Sequence, residues 1–533
     1  MRVLVVDIDS LRPDHLGCYG YSRNTSPVID DIAGDGVRFE ECYVSDSPCL
    51  PSRTALATCR HGIDTGVVTH FGEGQEYDEP GDGHDPDDDR NLSFRHLLEG
   101  GVRTATVTSF SQRHLAYHFT ASFQEHVQPT ANTGSLANED AADVTDAALT
   151  WLDSHAAEDD WLLHVNYWDV HHPYEGVAEH VEDVRESGPA AAWPDADAID
   201  DQQDVTGPRT ADSWPTAPTE SSDDEREWPF PTRIENRADV EHLLDGYDAA
   251  IRKVDAAVGT LLERLEDAGV REETAIVVTG DHGEAFGEHG IYAEHAFPHR
   301  ACQRVPMIVS WPDVTDGAAS GDGERTNTGE GTANEAGRPV EEFVHQFDLM
   351  PTICELFDIN VPAGWDAEPF TAALRGDSFD GREFVVCGHG IYTFGRAVYT
   401  EDWVYIRLLH PGVFSFPGLY NDPDLPNAGL ELLHDRGDDP HLTENLIEER
   451  PEVADRLRAR LDRWLTEHVS TGWRDRKPID GRGRDPLARM ASFGPYLYYD
   501  PDALLDQYRE SDRSAGQVAA IERSLDAFPR VDD

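Results

Sequence analysis

Two acidic strand ends carry the first chemical signal. Asp7-Ile8-Asp9-Ser10 closes an apolar run at residues 3–6, and Thr279-Gly280-Asp281-His282-Gly283-Glu284 closes another at 275–279. Carboxylates and an imidazole gathered at strand ends suit a divalent cation. Asp is also a favoured helix cap, so Asp9 or Asp281 taken singly fits a cap as well as a ligand. Two acidic ends in one sheet shift the reading towards a metal. Asp7 and Asp9 alternate to the same side of an extended strand, with Asp9 nearer the loop. A third constellation is Ser47-Pro48-Cys49-Leu50-Pro51-Ser52-Arg53-Thr54. A cysteine near a helix start with an arginine four residues on reads either as a structural thiol or as an activated thiolate.

These groups need a scaffold. Short apolar runs at 3–6, 104–108, 161–165, 275–279 and 305–310 predict strands. Helical stripes lie between them. Val144, Ala148, Trp151 and Leu152 form one, and Val240, Leu244, Tyr247, Ile251, Val254, Val258, Leu261 and Leu265 form a longer one. The alternation predicts an α/β fold with a large, mostly parallel central sheet flanked by helices. Ligand sites in such folds sit beyond the carboxyl ends of the strands. From about Phe384 the pattern changes to strand-like pieces at 397–400, 403–408 and 430–434, then an amphipathic helix near 453–465. That predicts a smaller C-terminal α+β subdomain with an antiparallel sheet. The expected division is 1–380 and 381–533, with acidic loops or insertions at 72–90, 179–233 and 313–338. Trp193, Trp214, Trp228 and Phe230 predict that part of the second insertion packs, as a rim over the site.

Composition excludes several function classes. The 533 residues hold 43 Lys+Arg against 104 Asp+Glu, a formal net charge of −61. A nucleic-acid binder needs a basic face, which this balance denies it. Docking on anionic lipid is disfavoured for the same reason. Hydrophobic residues make up 39 %, enough for a core at this size. A carboxylate-rich surface of this kind fits adaptation to high salt, where counterions screen self-repulsion. Lys253 and Lys477 are the only lysines. The first apolar run is too short for a secretory signal, and no run nears the roughly 18 apolar residues of a membrane span, so a cytoplasmic protein is expected. Seven cysteines at irregular spacings fit neither a zinc pattern nor a disulfide framework.

Four motifs in order resemble the type I sulfatases of the alkaline-phosphatase-like superfamily. Cys49-Leu50-Pro51-Ser52-Arg53 is similar to that family's Cys-x-Pro-x-Arg signature. Asp9 to Gly20 resembles its opening segment. Asp169-Val170-His171-His172-Pro173-Tyr174 resembles its substrate segment, and Asp281-His282-Gly283-Glu284 with Gly287-Glu288-His289-Gly290 its second metal segment. The resemblance spans roughly residues 1–312, and 433–446 with the helix after it resembles the family's closing element.

The resemblance implies a sulfatase that hydrolyses organic sulfate esters, on small molecules or saccharides. In that family the signature cysteine is oxidised by a separate formylglycine-generating enzyme. The aldehyde hydrates, one hydroxyl attacks sulfur and the alcohol leaves; the second hydroxyl then loses its proton as sulfate departs. By position, Asp9, Asp281, His282 and modified Cys49 would hold one divalent metal, with Asp7 a further candidate. Arg53 would hold the diol oxygens, and His171 would bind sulfate or protonate the leaving oxygen. The family resemblance favours calcium, while His282 in the shell also admits manganese or zinc.

This chain departs from the family in two places. Asp9 is followed by Ser10 where many members have adjacent acids. Neither lysine falls in a matching segment, so Arg113, His114 and His295 are expected to supply the positive groups around the sulfate, with His289 and His299 as weaker candidates. A phosphonate monoester or phosphodiester hydrolase of the same superfamily is the nearest alternative. A non-catalytic acidic binding protein is a remote one.

Overall fold

The computed structural model describes residues 1–474 except 71–91, 132–138, 203–208, 211–227, 232–233, 296, 316–336, 392 and 409–430, with isolated positions beyond 474. The insertion expected at 72–90, Trp214 and Lys477 lie outside the described residues.

An eight-stranded sheet forms the centre. From edge to edge its strands are Arg338–Val340, Val37–Phe39, Met307–Ser310, Thr274–Gly280, Arg2–Ile8, Trp161–Tyr167, Arg103–Val107 and Glu125–Val127. Every pairing is parallel except the two made by Met307–Ser310. The expected α/β sheet is therefore present, with one antiparallel strand in its interior.

Alternation along the first strand separates two cores. Leu4, Val6 and Ile8 pack with Val144, Leu152, Val240, Leu244, Ile251 and Val258 on one face. Val3 and Val5 pack with Leu50, Leu56, Met350 and Ile353 on the other. Period-two alternation then puts Asp7 on the second face, beneath the helix Cys49–Thr58. The long stripe forms the helix Arg237–Asp267, opened by a capping box between Asn236 and Asp239. Each of its stripe residues is wholly or almost wholly buried, worth roughly 1.5–3 kcal/mol per large aliphatic side chain.

The C-terminal sheet runs Glu431–Asp435, Trp403–Leu408, Thr393–Tyr399 and Val385–Ile391, all antiparallel. Its last member is not C-terminal. Asp46–Ser47, just before Cys49, adds in parallel to Val385–Ile391, pairing Asp46 with Gly388 and Ser47 with His389. The expected C-terminal antiparallel sheet is therefore present, extended by a parallel partner more than three hundred residues away. The helix Pro451–Arg474 covers the outer face through Ala454, Leu457, Leu461 and Trp464.

The described parts of the second and third insertions hold regular elements. Within 179–233 lie most of the helix Ala178–Ser187 and the helix Ala196–Asp201. Trp193 stacks on His441, Trp228 on His242, and Phe230 tilts against Tyr174. The third loop ends in a strand rather than in solvent, because Arg338–Val340 pairs with Val37–Phe39. All seven cysteines are free and buried. Among the described residues, no helix is long and apolar enough to cross a membrane.

Candidate active site

Parallel register brings the motifs together. Ile8 lies level with Tyr167 on one side and Gly280 on the other. The residues that follow, Asp9, Trp168 to His171, and Asp281-His282, therefore meet at one edge of the sheet. Cys49 and Arg53 enter from the second face, one turn apart on the same side of a buried helix. Behind the next strand, Arg113 ends the short helix Phe110–Arg113 and His114 follows it.

Arg53 is the electrostatic centre. It is wholly buried and donates through Nε to Asp7 Oδ2 at 2.7 Å. Its Nη1 donates to Asp9 Oδ2 at 2.9 Å and to Asp281 Oδ2 at 2.7 Å. The guanidinium lies over the Phe110 and Trp168 rings, 5.0 and 5.1 Å from their centroids. Three buried carboxylates face one guanidinium, so the cluster is short of positive charge by two units. Burial would raise Asp9, but Arg53 and His171 hold it well below the usual carboxylate range. Asp281 goes the other way: burial, against the pull of Arg53 and with Asp9 and Asp7 alongside, pushes it well up.

The donors fit a divalent cation. One atom each from Asp9, Cys49, Asp281 and His282 lies within 4.8 Å of the others. His282 Nδ1 donates to the Gly283 carbonyl at 2.8 Å, so its Nε2 lone pair faces the Cys49 Sγ at 3.0 Å. Burial and the neighbouring His295 pull His282 down to about 3, leaving a neutral imidazole. Neither Asp9 nor Asp281 caps a helix. Asp281 Oδ1 instead accepts from the Ser10 and His282 backbone N–H groups, at 3.1 and 2.9 Å. Ser10 takes a left-handed φ of 59° and its hydroxyl donates to Asp9 Oδ1 at 3.1 Å. Asp7 stands apart from the four donors. Its Oδ2 is shared by Arg53 and by His164 Nε2 at 3.2 Å, and its Oδ1 has no hydrogen-bond partner.

An imidazole-rich wall faces this centre. His171 and His295 each bring a ring nitrogen within 4.8 Å of Cys49 Sγ. The His295 ring lies 4.2 Å from that of His282 and 5.5 Å from that of His171. His114 is one ring further out, 4.7 Å from His70, and Arg113 lies 4.4 Å over the Trp168 ring. Burial, then Arg113, holds His114 well down, and burial lowers His295 despite Glu294, so with no anion beside them both imidazoles favour the neutral form. Arg113 adds a guanidinium to that wall. Burial and then Asp9 and Asp281 push the Cys49 thiol well up, against the thiolate. His289 and His299 lie elsewhere. His289 packs on Phe297 and His299, and His299 Nδ1 accepts from the Ala301 N–H at 3.0 Å.

Sequence reasoning missed four residues here. His70 Nε2 accepts the Leu50 backbone N–H at 3.1 Å, bracing the turn at Cys49. His164 supports Asp7 from the middle of an apolar strand. His389 Nδ1 meets the Ser47 hydroxyl at 2.9 Å, tying the C-terminal sheet to the Cys49 loop. Glu284 is wholly buried, with neither carboxylate oxygen hydrogen-bonded. No spacing rule marks His70, His164 or His389, whereas Glu284 stood in a motif already read.

A sequence profile of the Sulfatase family matches residues 2–359. The chain is 23 % identical over 405 residues to mouse iduronate 2-sulfatase, covering 68 % of this chain and 69 % of that one. It is 21 % identical over 422 residues to an N-acetylglucosamine-6-O-sulfatase of Bacteroides thetaiotaomicron, covering 68 % of each. The solved structure of a 2-O GAG sulfatase superposes with a TM-score of 0.63 at 19 % identity, over 93 % of this chain and 96 % of that chain. This chain belongs to the sulfatase family, whose members are hydrolases acting on sulfate esters.

Proposed function

We propose that the protein hydrolyses sulfate esters of saccharides, using formylglycine made from Cys49 beside one divalent cation, calcium in the first instance. The observation that carries this reading is the convergence of Cys49, Arg53, Asp9, Asp281 and His282 at one buried point. Asp9, Asp281, His282 and residue 49 would hold the cation, which when bound polarises a sulfate oxygen and supplies the missing positive charge.

The chain's own residues divide the remaining tasks. Residue 49, as the hydrated aldehyde, offers one hydroxyl to attack sulfur and a second whose deprotonation releases sulfate. Arg53 fixes Asp9 and Asp281 in position and is aimed at the same point as residue 49. Arg113 on Trp168 holds the ester's negative charge. His114, His171 and His295 would line the sulfate oxygens, and His171, protonated when the anionic ester binds beside it, would give that proton to the leaving alkoxide. Trp168 and Phe110 keep bulk water off the guanidinium.

A saccharide substrate is supported by the names of the relatives, which act on an iduronate and an N-acetylglucosamine sulfate. The test is kcat/KM for matched aryl sulfate, phosphate and phosphonate esters, followed by a panel of sulfated monosaccharides. Sulfate preference supports the reading. A preference for the phosphonate ester would transfer the protein to the alternative branch of the superfamily.

A further inference from the structure

A second group of metal-type donors lies away from the active site. Asp64, Asp366 and His468 each place one ligand atom within 4.8 Å of the other two. They come from three separate elements. Asp64 is in the short helix Gly62–Thr65, one turn past the Cys49 helix. Asp366 precedes the helix Thr371–Arg375, and His468 lies on the closing helix Pro451–Arg474. His468 Nδ1 is 2.5 Å from Asp64 Oδ2.

His61 supplies an independent observation. It is 3 % exposed, and its Nδ1 has no hydrogen-bond partner. Its ring meets the His468 ring edge to face at 5.0 Å, and its backbone N–H donates to Asp366 Oδ2 at 3.3 Å. Two guanidiniums stand near the group: Arg60 donates to the Gly364 carbonyl at 3.1 Å and also acts on Asp366, and Arg396 lies 3.8 Å from Asp46 and also acts on Asp64.

We infer that Asp64, Asp366 and His468 form a second cation site, of the zinc class, that clamps the closing helix onto the segment following the Cys49 helix. Two carboxylates with imidazole match zinc, or cobalt as its spectroscopic stand-in, better than calcium or magnesium. Two carboxylates and one neutral imidazole balance a divalent ion, which takes the place of the proton between His468 and Asp64. The structural role follows from placement. The clamp joins residues 404 positions apart, tying the closing helix to the segment after the Cys49 helix.

The test uses the full-length protein, stripped with chelator, resupplied with excess calcium and titrated with cobalt(II) or zinc. One cobalt per chain with a tetrahedral visible spectrum is expected, together with a higher melting temperature. Asp281→Asn should keep that spectrum, which separates this site from the catalytic one. D64N/H468Q should lose it, and H468Q alone should weaken binding by at least the 10–100-fold that loss of a ligand's supporting partner costs. Circular dichroism checks that the variants fold, and H468Q gives the reading if the double variant does not. No cobalt spectrum in the wild type, or equal binding by wild type and H468Q, would overturn the site and show adventitious carboxylate binding only.

Discussion

The Cys49 thiol lies 3.0 Å from Nε2 of His282, joining two residues 233 positions apart. The Cys49 sulfur arrives at the start of a helix on one face of the sheet. The imidazole arrives at the end of a strand. Because His282 Nδ1 is engaged by Gly283, its Nε2 can only accept or ligate at that point. The proposed cation shell and the proposed nucleophile therefore share this one point.

Replacing Cys49 with alanine should abolish aryl sulfate hydrolysis by at least about a thousandfold, the scale on which nucleophile loss is felt. The thiol makes few structural demands, so the melting temperature should stay near that of the wild type. Steady-state kinetics and calorimetry check both halves. Unchanged turnover in C49A would remove residue 49 from the chemistry.

Removing the guanidinium should be felt in the fold. Arg53→Met leaves Asp7, Asp9 and Asp281 buried without their shared guanidinium, and breaking such a cluster costs about 3–5 kcal/mol. Calcium should restore part of that loss, since a ligand at 100 times its Kd stabilises by about 2.7 kcal/mol. Chemical denaturation of R53M with and without calcium is the measurement. A variant as stable as the wild type in chelator would contradict the charge argument.

Acid should weaken the protein through its buried histidines. Burial holds His389 down to about 3 and His434 to about 4. Both lie below the unfolded value of about 6.5, so the unfolded chain takes up these protons first as pH falls. Their contribution is complete above about pH 6.5 and is lost down to the folded values. The slope is about 1.4 kcal/mol per pH unit for each histidine. Denaturation between pH 7 and 4 should show it, and H389Q should flatten it. A stability independent of pH in that window would refute the assignment of these side chains as buried and neutral.

Much of this site is legible from residue types alone, and the rest is not, for a physical reason. Asp9, Asp281 and His282 are legible because strands announce themselves as apolar runs and sites follow their ends. Cys49 and Arg53 are legible because helical spacing puts them on one side. Asp46–Ser47 was not, since its pairing with Gly388 and His389 is set by tertiary contact rather than by local pattern. His164 is hidden inside a strand whose composition reads as core. The charge state of His114 and His295 needed burial, which no spacing reveals.

A net charge of −61 repels an anionic ester from the protein as a whole. Added salt screens that field, whose range is about 10 Å at 0.1 M and shorter above it. kcat/KM for a sulfate ester should therefore rise with salt from low ionic strength. Stopped-flow or initial-rate measurements across a salt series decide it. Activity that is greatest at low salt and only declines would contradict the reading.

The mass of the Cys49 peptide tests the central claim most directly. The enzyme should be purified active from its native host, or from a host supplying the formylglycine-generating enzyme, and digested. The account predicts an aldehyde in place of the thiol at residue 49, trapped by a hydrazine reagent. Fully active enzyme in which that peptide carries only the unmodified thiol would contradict it.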